Sequence, residues 1–194
     1  MTASTTGPQE RLLEVAGRLF YADGIHAVGV DRVVSEASVA KATLYAHFSG
    51  KADLVSAYLA DRSRRWVAAA EQRTAPHRPG TPAAVLCLFE LLHEDSLRSG
   101  FRGCPFINAA AEFPDEGPVR AEIARHRRRV REVFGAAGGA LLDRPGMVDA
   151  VVALYGGAMS AAHLDRDPDV VLHAAAAARL LLEAGTGLGS TVPV

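Results

Sequence analysis

The residues best suited to chemistry in this 194-residue chain lie between its two lysines, Lys41 and Lys51. All other basic residues are arginines, a bias expected of GC-rich coding DNA, which does not explain where the two lysines fall. Between the lysines stand a hydroxyl, a phenol and an imidazole, at Thr43, Tyr45 and His47. Such groups hydrogen-bond to phosphate oxygens and to base edges. The segment therefore predicts a surface that binds nucleic acid.

Helices must position these side chains, because the apolar residues recur with helical periodicity along the whole chain. No stretch alternates β-branched residues with a period of two, so we expect an all-α fold without a sheet. Leu44 and Phe48 are spaced to face a core, which turns Tyr45 and His47 outward. The predicted helices are Gln9–Asp23, Asp31–Ala37, Lys41–Phe48, Lys51–Gln72, Pro82–Leu97, Pro105–Phe113, Val119–Ala137, Pro145–His163 and Asp167–Ala184. The second and third, joined by a three-residue turn, have the layout of a helix-turn-helix motif.

The motif Thr43-Leu44-Tyr45-x-His47-Phe48-x-x-Lys51-x-x-Leu54 resembles the signature of the TetR family of bacterial transcriptional repressors. The close resemblance covers residues 11–58, and the chain's length and all-helical plan of about nine helices fit the same family. It implies a homodimer that binds a palindromic double-stranded DNA operator and responds to a small-molecule effector. It also implies an N-terminal three-helix DNA-binding domain at 1–50, continuing into the connecting helix 51–73, and an effector-binding and dimerisation domain at 74–194. We expect DNA contacts from Arg32, Val39, Lys41, Ala42, Thr43, Tyr45, His47 and Lys51.

Two positions in the turn depart from the usual pattern of the family. Ser38 stands where glycine is common, and a serine in a left-handed conformation costs about 1 kcal/mol. Ala40 stands where serine is common, which removes the usual hydroxyl cap of the recognition helix. Ser38 is a possible substitute for that cap.

The charge balance bears on the strength of DNA binding. The chain has a formal net charge of −1, and residues 1–75 carry a net charge of only +1. This excludes a strong global field for nucleic acid, so binding depends on a local patch that a dimer doubles. An arginine-rich run from Arg127 to Arg131 is read as the solvated face of a helix rather than as a second nucleic-acid patch. The alternative function is a helical effector-binding or sequestering protein whose DNA head is degenerate.

A change in composition at residues 74–82, rich in proline, marks the join to the second domain. The resemblance implies an effector pocket beyond it, where aromatic, methionine and polar side chains occupy helix-interior positions. The scarcity of charge among them predicts a mostly apolar ligand. The expected pocket residues are Trp66, Phe89, His93, Phe106, Asn108, Phe113, Tyr155, Met159 and His163.

The last two predicted helices are apolar nearly all round, which predicts burial on all sides. In so short a chain the second partner is expected to be another copy, through a four-helix interface. The expected interface residues are Val148, Val151, Val152, Ala174, Ala178 and Leu181.

The remaining features favour neither an enzyme nor an exported protein. Cys104, with histidines elsewhere in the chain, is a candidate nucleophile, although buried packing or pocket lining is the favoured interpretation. No cysteine or histidine pair has the spacing of metal ligands. We therefore expect no catalytic residue, no metal and no cofactor. Residues 1–9 lack the features of a signal peptide, and the apolar stretch 148–164 falls short of a membrane span, so we expect a cytoplasmic protein without a membrane partner.

Overall fold

The computed structural model describes residues 7–113 and 117–187, with side chains to residue 184. This part of the chain contains nine α-helices and one 3-10 helix at Gly139–Leu142, and no strand, which confirms the all-α prediction. The helices are α1 (Pro8–Asp23), α2 (Val30–Glu36), α3 (Lys41–His47), α4 (Lys51–Thr74), α5 (Pro82–Ser96), α6 (Pro105–Glu112), α7 (Pro118–Gly138), α8 (Met147–Leu164) and α9 (Val170–Gly187).

Most helix ends lie within two residues of the prediction, and the differences follow from local backbone geometry. α8 begins at Met147 rather than at Pro145 because Gly146 has a φ of 79°, which a right-handed helix cannot contain. α9 begins at Val170 rather than at Asp167, because the Asp167 carboxylate accepts the Asp169 N–H in a turn before the helix.

The described chain packs as two compact units, each built from two segments. The first unit comprises residues up to Arg64 together with Pro105–His126, and the second comprises Arg65–Cys104 and residues from Arg127 onward. This division by packing differs from the predicted join at residues 74–82, since it cuts α4 and assigns α6 to the unit that holds α1 to α3. The predicted division of roles at residue 74 stays a prediction.

The first unit has a core formed by one face of each of its N-terminal helices. Leu12 and Leu19 of α1, Val33 of α2 and Leu44 of α3 are almost completely buried. The start of α4 closes this core through Tyr58, whose ring packs edge-on against Phe20 with centroids 5.8 Å apart. The apolar face of α1 therefore lies in the core, as its helical periodicity predicts.

The second unit is built on α5, which packs against α8 and α9. Seven residues of α5, from Ala84 to Phe89 and Leu92, are buried, so this helix is the centre of the unit's core. Burial of α8 and α9 is one-sided within the unit: Val151 and Leu182 are buried, whereas Leu172 and Leu180 are exposed. Because these helices are apolar on all sides, they expose apolar side chains wherever the unit does not cover them.

Among the described residues, α8 is the one helix whose length and composition would let it cross a membrane, with a mean hydropathy of 1.3 over Met147–Leu164. The sequence predicts that residues 148–164 fall just short of that limit, whereas α8 meets it. A core helix of a soluble protein meets the same criterion, and α8 packs against α5 and α9.

Candidate nucleic-acid interface

The turn between α2 and α3 is a helix-ending motif with serine at its left-handed position. The Val39 N–H donates to Val34 O at 3.1 Å, and the Ser38 N–H donates to Ser35 O at 3.1 Å. These two bonds are the pair that defines a Schellman motif, whose first residue beyond the cap is usually glycine. Ser38 holds that position with a φ of 53°, so the strain expected from the sequence is present.

The recognition helix α3 starts without a side-chain cap. Its N-cap is Ala40, which has no acceptor for the free N–H groups of the first turn, and its backbone has the extended conformation of an N-cap. Among the described contacts, the hydroxyl of Ser38, the candidate substitute, makes no hydrogen bond to α3. The Thr43 N–H donates to the Ala40 carbonyl at 2.9 Å, which leaves the Lys41 and Ala42 N–H groups to solvent or to a DNA phosphate.

The two faces of α3 differ sharply in burial, as the sequence predicts. Leu44 is fully buried and Phe48, just beyond the helix, is 5% exposed. Tyr45 is 51% exposed, a large fraction for an aromatic side chain, and His47 is exposed beside it. The remaining outward positions expected to contact DNA are small or short: Ala42 is exposed, and Thr43 and Val39 are half-buried. A helix with short side chains around one exposed ring fits the major groove of B-DNA, which is about 12 Å wide.

Two of the expected cationic DNA contacts are engaged in exposed ion pairs. Arg32 lies 2.7 Å from Asp23 and 2.9 Å from Glu36, and Lys41 lies 2.6 Å from Asp31. Hydrogen bonds to Glu36 and Asp23 raise the pKa of Arg32, and Asp31 raises the pKa of Lys41. Exposed pairs of this kind are weak and screened by salt, so a phosphate can replace the carboxylate.

Lys51, the third expected cation, lies in a less accessible place. Its ammonium donates to His26 O at 3.4 Å, and partial burial lowers its pKa, an effect that the nearby Glu112 carboxylate opposes. At the same end of α4 the Asp53 carboxylate accepts the Ser49 N–H at 3.1 Å. The Asp53 carboxylate therefore binds the backbone just before α4, two residues from Lys51.

The expected pocket residues are distributed over both units. Phe106, Asn108 and Phe113 belong to the first unit, where Phe106 stacks on His126 and Phe113 stacks on His26. The other six belong to the second unit.

Within the second unit, three of the expected pocket residues pack on one another. Tyr155 accepts a hydrogen bond from Trp66 Nε1 at 3.1 Å and contacts Phe89 and Phe134 edge-on, with centroids 5.5 and 5.2 Å away. Burial raises the pKa of the Tyr155 phenol. These rings fill the space between the helices themselves, so they form a core cluster in this structure.

The remaining polar candidates lie at the edges of the second unit. His93 Nε2 is buried without a hydrogen bond and lies 3.5 Å from Asp169 Oδ1. Met159 and His163 of α8 lie against Gly103, where a Cβ would come within 3.3 Å of the His163 Cβ. The approach of this loop to α8 therefore requires glycine.

Two cavities lie in the second unit, and neither is lined by the residues expected to form the effector pocket. One, of about 550 Å³, lies between the end of α4, the following loop, the start of α5 and the end of α7. Its wall is mostly apolar, through residues such as Val67 and Val133, and its charged members are Glu71, Arg129 and Glu132. Small residues of this kind carry no distinctive signal in a sequence, which is why they were missed.

The second cavity is an open apolar groove of about 480 Å³ along α8 and α9. Ala174, expected at a dimer interface, lines this groove, and Leu181 is 37% exposed. Val151, Val152 and Ala178 are buried inside the unit, so the structure removes them from any surface that a second copy could contact. Val148 is half-buried.

Comparison with known proteins gives a consistent result. The model of the family described as bacterial regulatory proteins, tetR family, matches residues 12–58. A crystal structure of a TetR-family transcriptional regulator from Streptomyces coelicolor is 38% identical, with a TM-score of 0.79 over 92% of this chain and 96% of that chain. A TetR regulator described as putative, from Streptomyces avermitilis, is 27% identical, with a TM-score of 0.78 over 93% of this chain and 98% of its own.

A curated relative matches a shorter segment. It is the HTH-type transcriptional activator FasR of Mycolicibacterium smegmatis, 36% identical over 95 residues. The match covers 47% of this chain and 42% of FasR, so less than half of that protein's length is compared.

Proposed function

This chain belongs to the TetR family of bacterial transcriptional regulators, and from that premise we propose that it is a homodimeric repressor released from a palindromic operator by a small molecule. Membership of the family makes it a regulator with a DNA-binding helix-turn-helix. The finer points, namely repression, release, the effector and the dimer, are the proposal.

The observation that carries the proposal is the exposed face of α3. Tyr45 stands 51% exposed between the buried Leu44 and Phe48, on a helix that small neighbours leave accessible. An exposed aromatic ring gains little in a free protein, whereas against DNA it contacts sugar, phosphate or a base edge. In the proposed complex the residues at 41–47 enter the major groove, and the two copies of α3 lie about one DNA turn apart.

Dimerisation is supported by the uncovered apolar surface of α8 and α9. An apolar groove runs along these helices, and Leu172, Leu180 and Leu181 of α9 are exposed, so both helices carry apolar surface that the unit does not cover. Apolar patches of this kind mark interaction surfaces in soluble proteins. A symmetric pair of such faces buries both and gives the four-helix arrangement predicted from the sequence.

The effector is proposed to bind in the second unit and to be mostly apolar. The 550 Å³ cavity has the size of pockets that take small organic ligands, and its wall is largely apolar. The expected residues Trp66, His93 and His163 remain predictions for a site that opens on binding. A preference of about 1–3 kcal/mol for the non-binding state would release DNA by roughly 5- to 150-fold.

The sign of regulation needs its own test, because the relative FasR is named an activator. We propose repression, and a reporter gene under the DNA that flanks this protein's gene distinguishes the two. Deletion of the protein raises expression if it represses and lowers expression if it activates.

The binding experiment uses the same flanking DNA and the full chain. Tyr45→Ala and Lys41→Ala are expected to weaken binding to the footprinted site by about tenfold or more, equivalent to about 1.4 kcal/mol. Both side chains are exposed, so the melting temperature should stay close to that of the parent. The matched control is Arg98→Ala, an exposed, ion-paired residue of the second unit, which should bind DNA like the parent.

Binding by both variants at the parent's affinity would show that α3 is not the reading surface. A parent protein that binds no flanking DNA, at any salt concentration, would favour the alternative of an effector-binding protein with a degenerate head. Ser38, the uncapped α3 and the paired cations are the observations behind that alternative.

A third hypothesis is that the chain is an enzyme with Cys104 as its nucleophile, and the variant Cys104→Ala tests it. We expect this variant to keep operator affinity and at most to change the response to effector. The other thiol, Cys87, is buried, and burial raises its pKa, so it is a poor nucleophile.

A further inference from the structure

Glu112, the last residue of α6, binds a loop 86 residues away in the sequence. Its carboxylate accepts the Ile25 N–H at 3.0 Å and also accepts the next N–H, that of His26. The same carboxylate lies 3.2 Å from His26 Nδ1. No sequence signal marked Glu112 or His26, because the contact joins two segments far apart in the chain.

The loop between α1 and α2 is shaped to receive this carboxylate. Gly24 has a φ of 93°, which side-chain-bearing residues rarely adopt, and it precedes the two N–H groups that meet Glu112. Consecutive backbone N–H groups of this kind form an anion-binding concavity. Phe113, the residue after Glu112, stacks on the His26 ring with centroids 5.4 Å apart and planes at 21°. Hydrogen bonds to a charged acceptor are about twice as strong as neutral ones.

The other end of α6 is also fixed within the first unit. Phe106 lies parallel to the ring of His126 in α7, with centroids 3.6 Å apart and planes at 5°. His126 Nδ1 in turn lies 3.0 Å from the hydroxyl of Ser63 in α4, and both residues are buried. The eight residues of α6, about 12 Å long, therefore connect α4 and α7 with the loop before α2.

The loop held by α6 also carries a contact of the start of α4. Lys51 Nζ donates to the His26 carbonyl at 3.4 Å, and the His26 N–H donates to Glu112. One short turn before α2 is therefore fixed both by α6 and by α4.

We propose that Glu112 is a positioning residue for DNA binding, which holds the loop before α2 to α6 and so keeps the helix-turn-helix in one orientation within the first unit. The inference rests on the proposed function for its DNA readout, and its first test does not need DNA. A carboxylate is required because it accepts both N–H groups at once, which an amide oxygen does less strongly.

The first experiment is hydrogen exchange of the full chain, comparing the parent with Glu112→Gln and Glu112→Ala. Exchange of the Ile25 and His26 amides is expected to quicken by about tenfold or more in the alanine variant and by less in the glutamine variant. The control is Glu90→Gln on the exposed face of α5, which should leave the segment 24–29 unchanged. Unchanged exchange of these two amides in Glu112→Ala would overturn the proposal.

The second experiment measures affinity for the footprinted flanking DNA. We expect Glu112→Gln to bind several-fold more weakly than the parent and Glu112→Ala about tenfold more weakly, because a loosened head must be ordered on DNA. His26→Ala, which removes an exposed side chain and both its contacts with 112–113, is expected to show a smaller loss and to fold normally.

The outcomes separate this inference from the proposed function. Fast exchange at Ile25 and His26 with parental DNA affinity would make Glu112 a merely structural contact and would overturn its positioning role alone. A parent that binds no DNA would overturn the proposed function and the positioning role together. Weakened binding by the Glu112 variants, with parental binding by Glu90→Gln, supports the proposal.

Discussion

At the scale of single residues, the most informative position is Ser38. Its left-handed φ of 53° serves the turn before α3, and an L-residue pays about 1 kcal/mol for that conformation. Two valines on either side of Ser38 pack toward the core: Val34 is buried and Val39 is half-buried. The packing of these two side chains fixes the backbone on both sides of the turn, so Ser38 keeps its strained conformation.

Replacing Ser38 by glycine is expected to stabilise the protein. The gain should be about 0.5–1 kcal/mol, because glycine adopts positive φ without a steric penalty but costs more conformational entropy on folding. For a chain of this length that raises the melting temperature by roughly 1–4 °C in a thermal denaturation experiment. The control Ser35→Gly, inside α2, should lower it. Equal or lower stability of Ser38→Gly would mean that the turn is not strained.

At the scale of elements, the exposed apolar surface of α8 and α9 is where we propose that two copies of the chain meet. Ala153 is exposed and lines the groove between the two helices. Val151, two residues away and on the opposite face of α8, is buried inside the unit, so a charge there would unfold the chain rather than separate two copies. A test of the interface must therefore use exposed residues of α8 and α9.

Ala153→Glu and Leu181→Glu are expected to convert a dimer to a monomer. Each places a charge in an apolar interface, at a cost of several kcal/mol if it finds no partner. Sedimentation velocity at micromolar concentration measures the outcome, and Leu97→Glu, at a 62% exposed position outside the groove, should remain dimeric. A monomeric parent, or variants that sediment as the parent does, would contradict the proposed face.

At the scale of the whole molecule, the nearly neutral net charge gives little long-range attraction to DNA. The chain carries a net charge of −1, and the described cations Arg32 and Lys41 are paired with carboxylates. Attraction to DNA must therefore come from ion exchange at close range, with each phosphate displacing a carboxylate or a counterion. In the proposed dimer, this exchange lets a chain with little net charge bind DNA at both heads.

The salt dependence of operator binding follows from this charge arrangement. If each protomer contacts two to four phosphates, a dimer should show a slope of roughly −4 to −7 in log affinity against log salt. Lys41→Ala, which removes one phosphate contact from each head, should make the slope shallower by about 2 units, whereas Arg98→Ala should leave it unchanged. A titration of binding between low and physiological salt gives both slopes, and equal slopes for parent and Lys41→Ala would exclude a phosphate contact.

The sequence by itself determined the elements that depend on local pattern. Helical periodicity predicted the helices of the fold, and the inward Leu44 with the outward Tyr45 and His47 followed from the spacing of apolar residues along α3. Serine at the turn and alanine at the N-cap were readable for the same reason, because backbone conformation at a helix end depends on a few adjacent residues.

Only the tertiary structure decided which distant segments meet. It buried Val151, Val152 and Ala178 within one unit, packed Trp66, Phe89 and Tyr155 into a cluster, and brought Glu112 to the loop at residues 25–26. An apolar helix face can be covered from within the chain or by a second copy, and a carboxylate can bind any free N–H within reach. Those choices depend on packing across the chain, which periodicity along one helix does not contain.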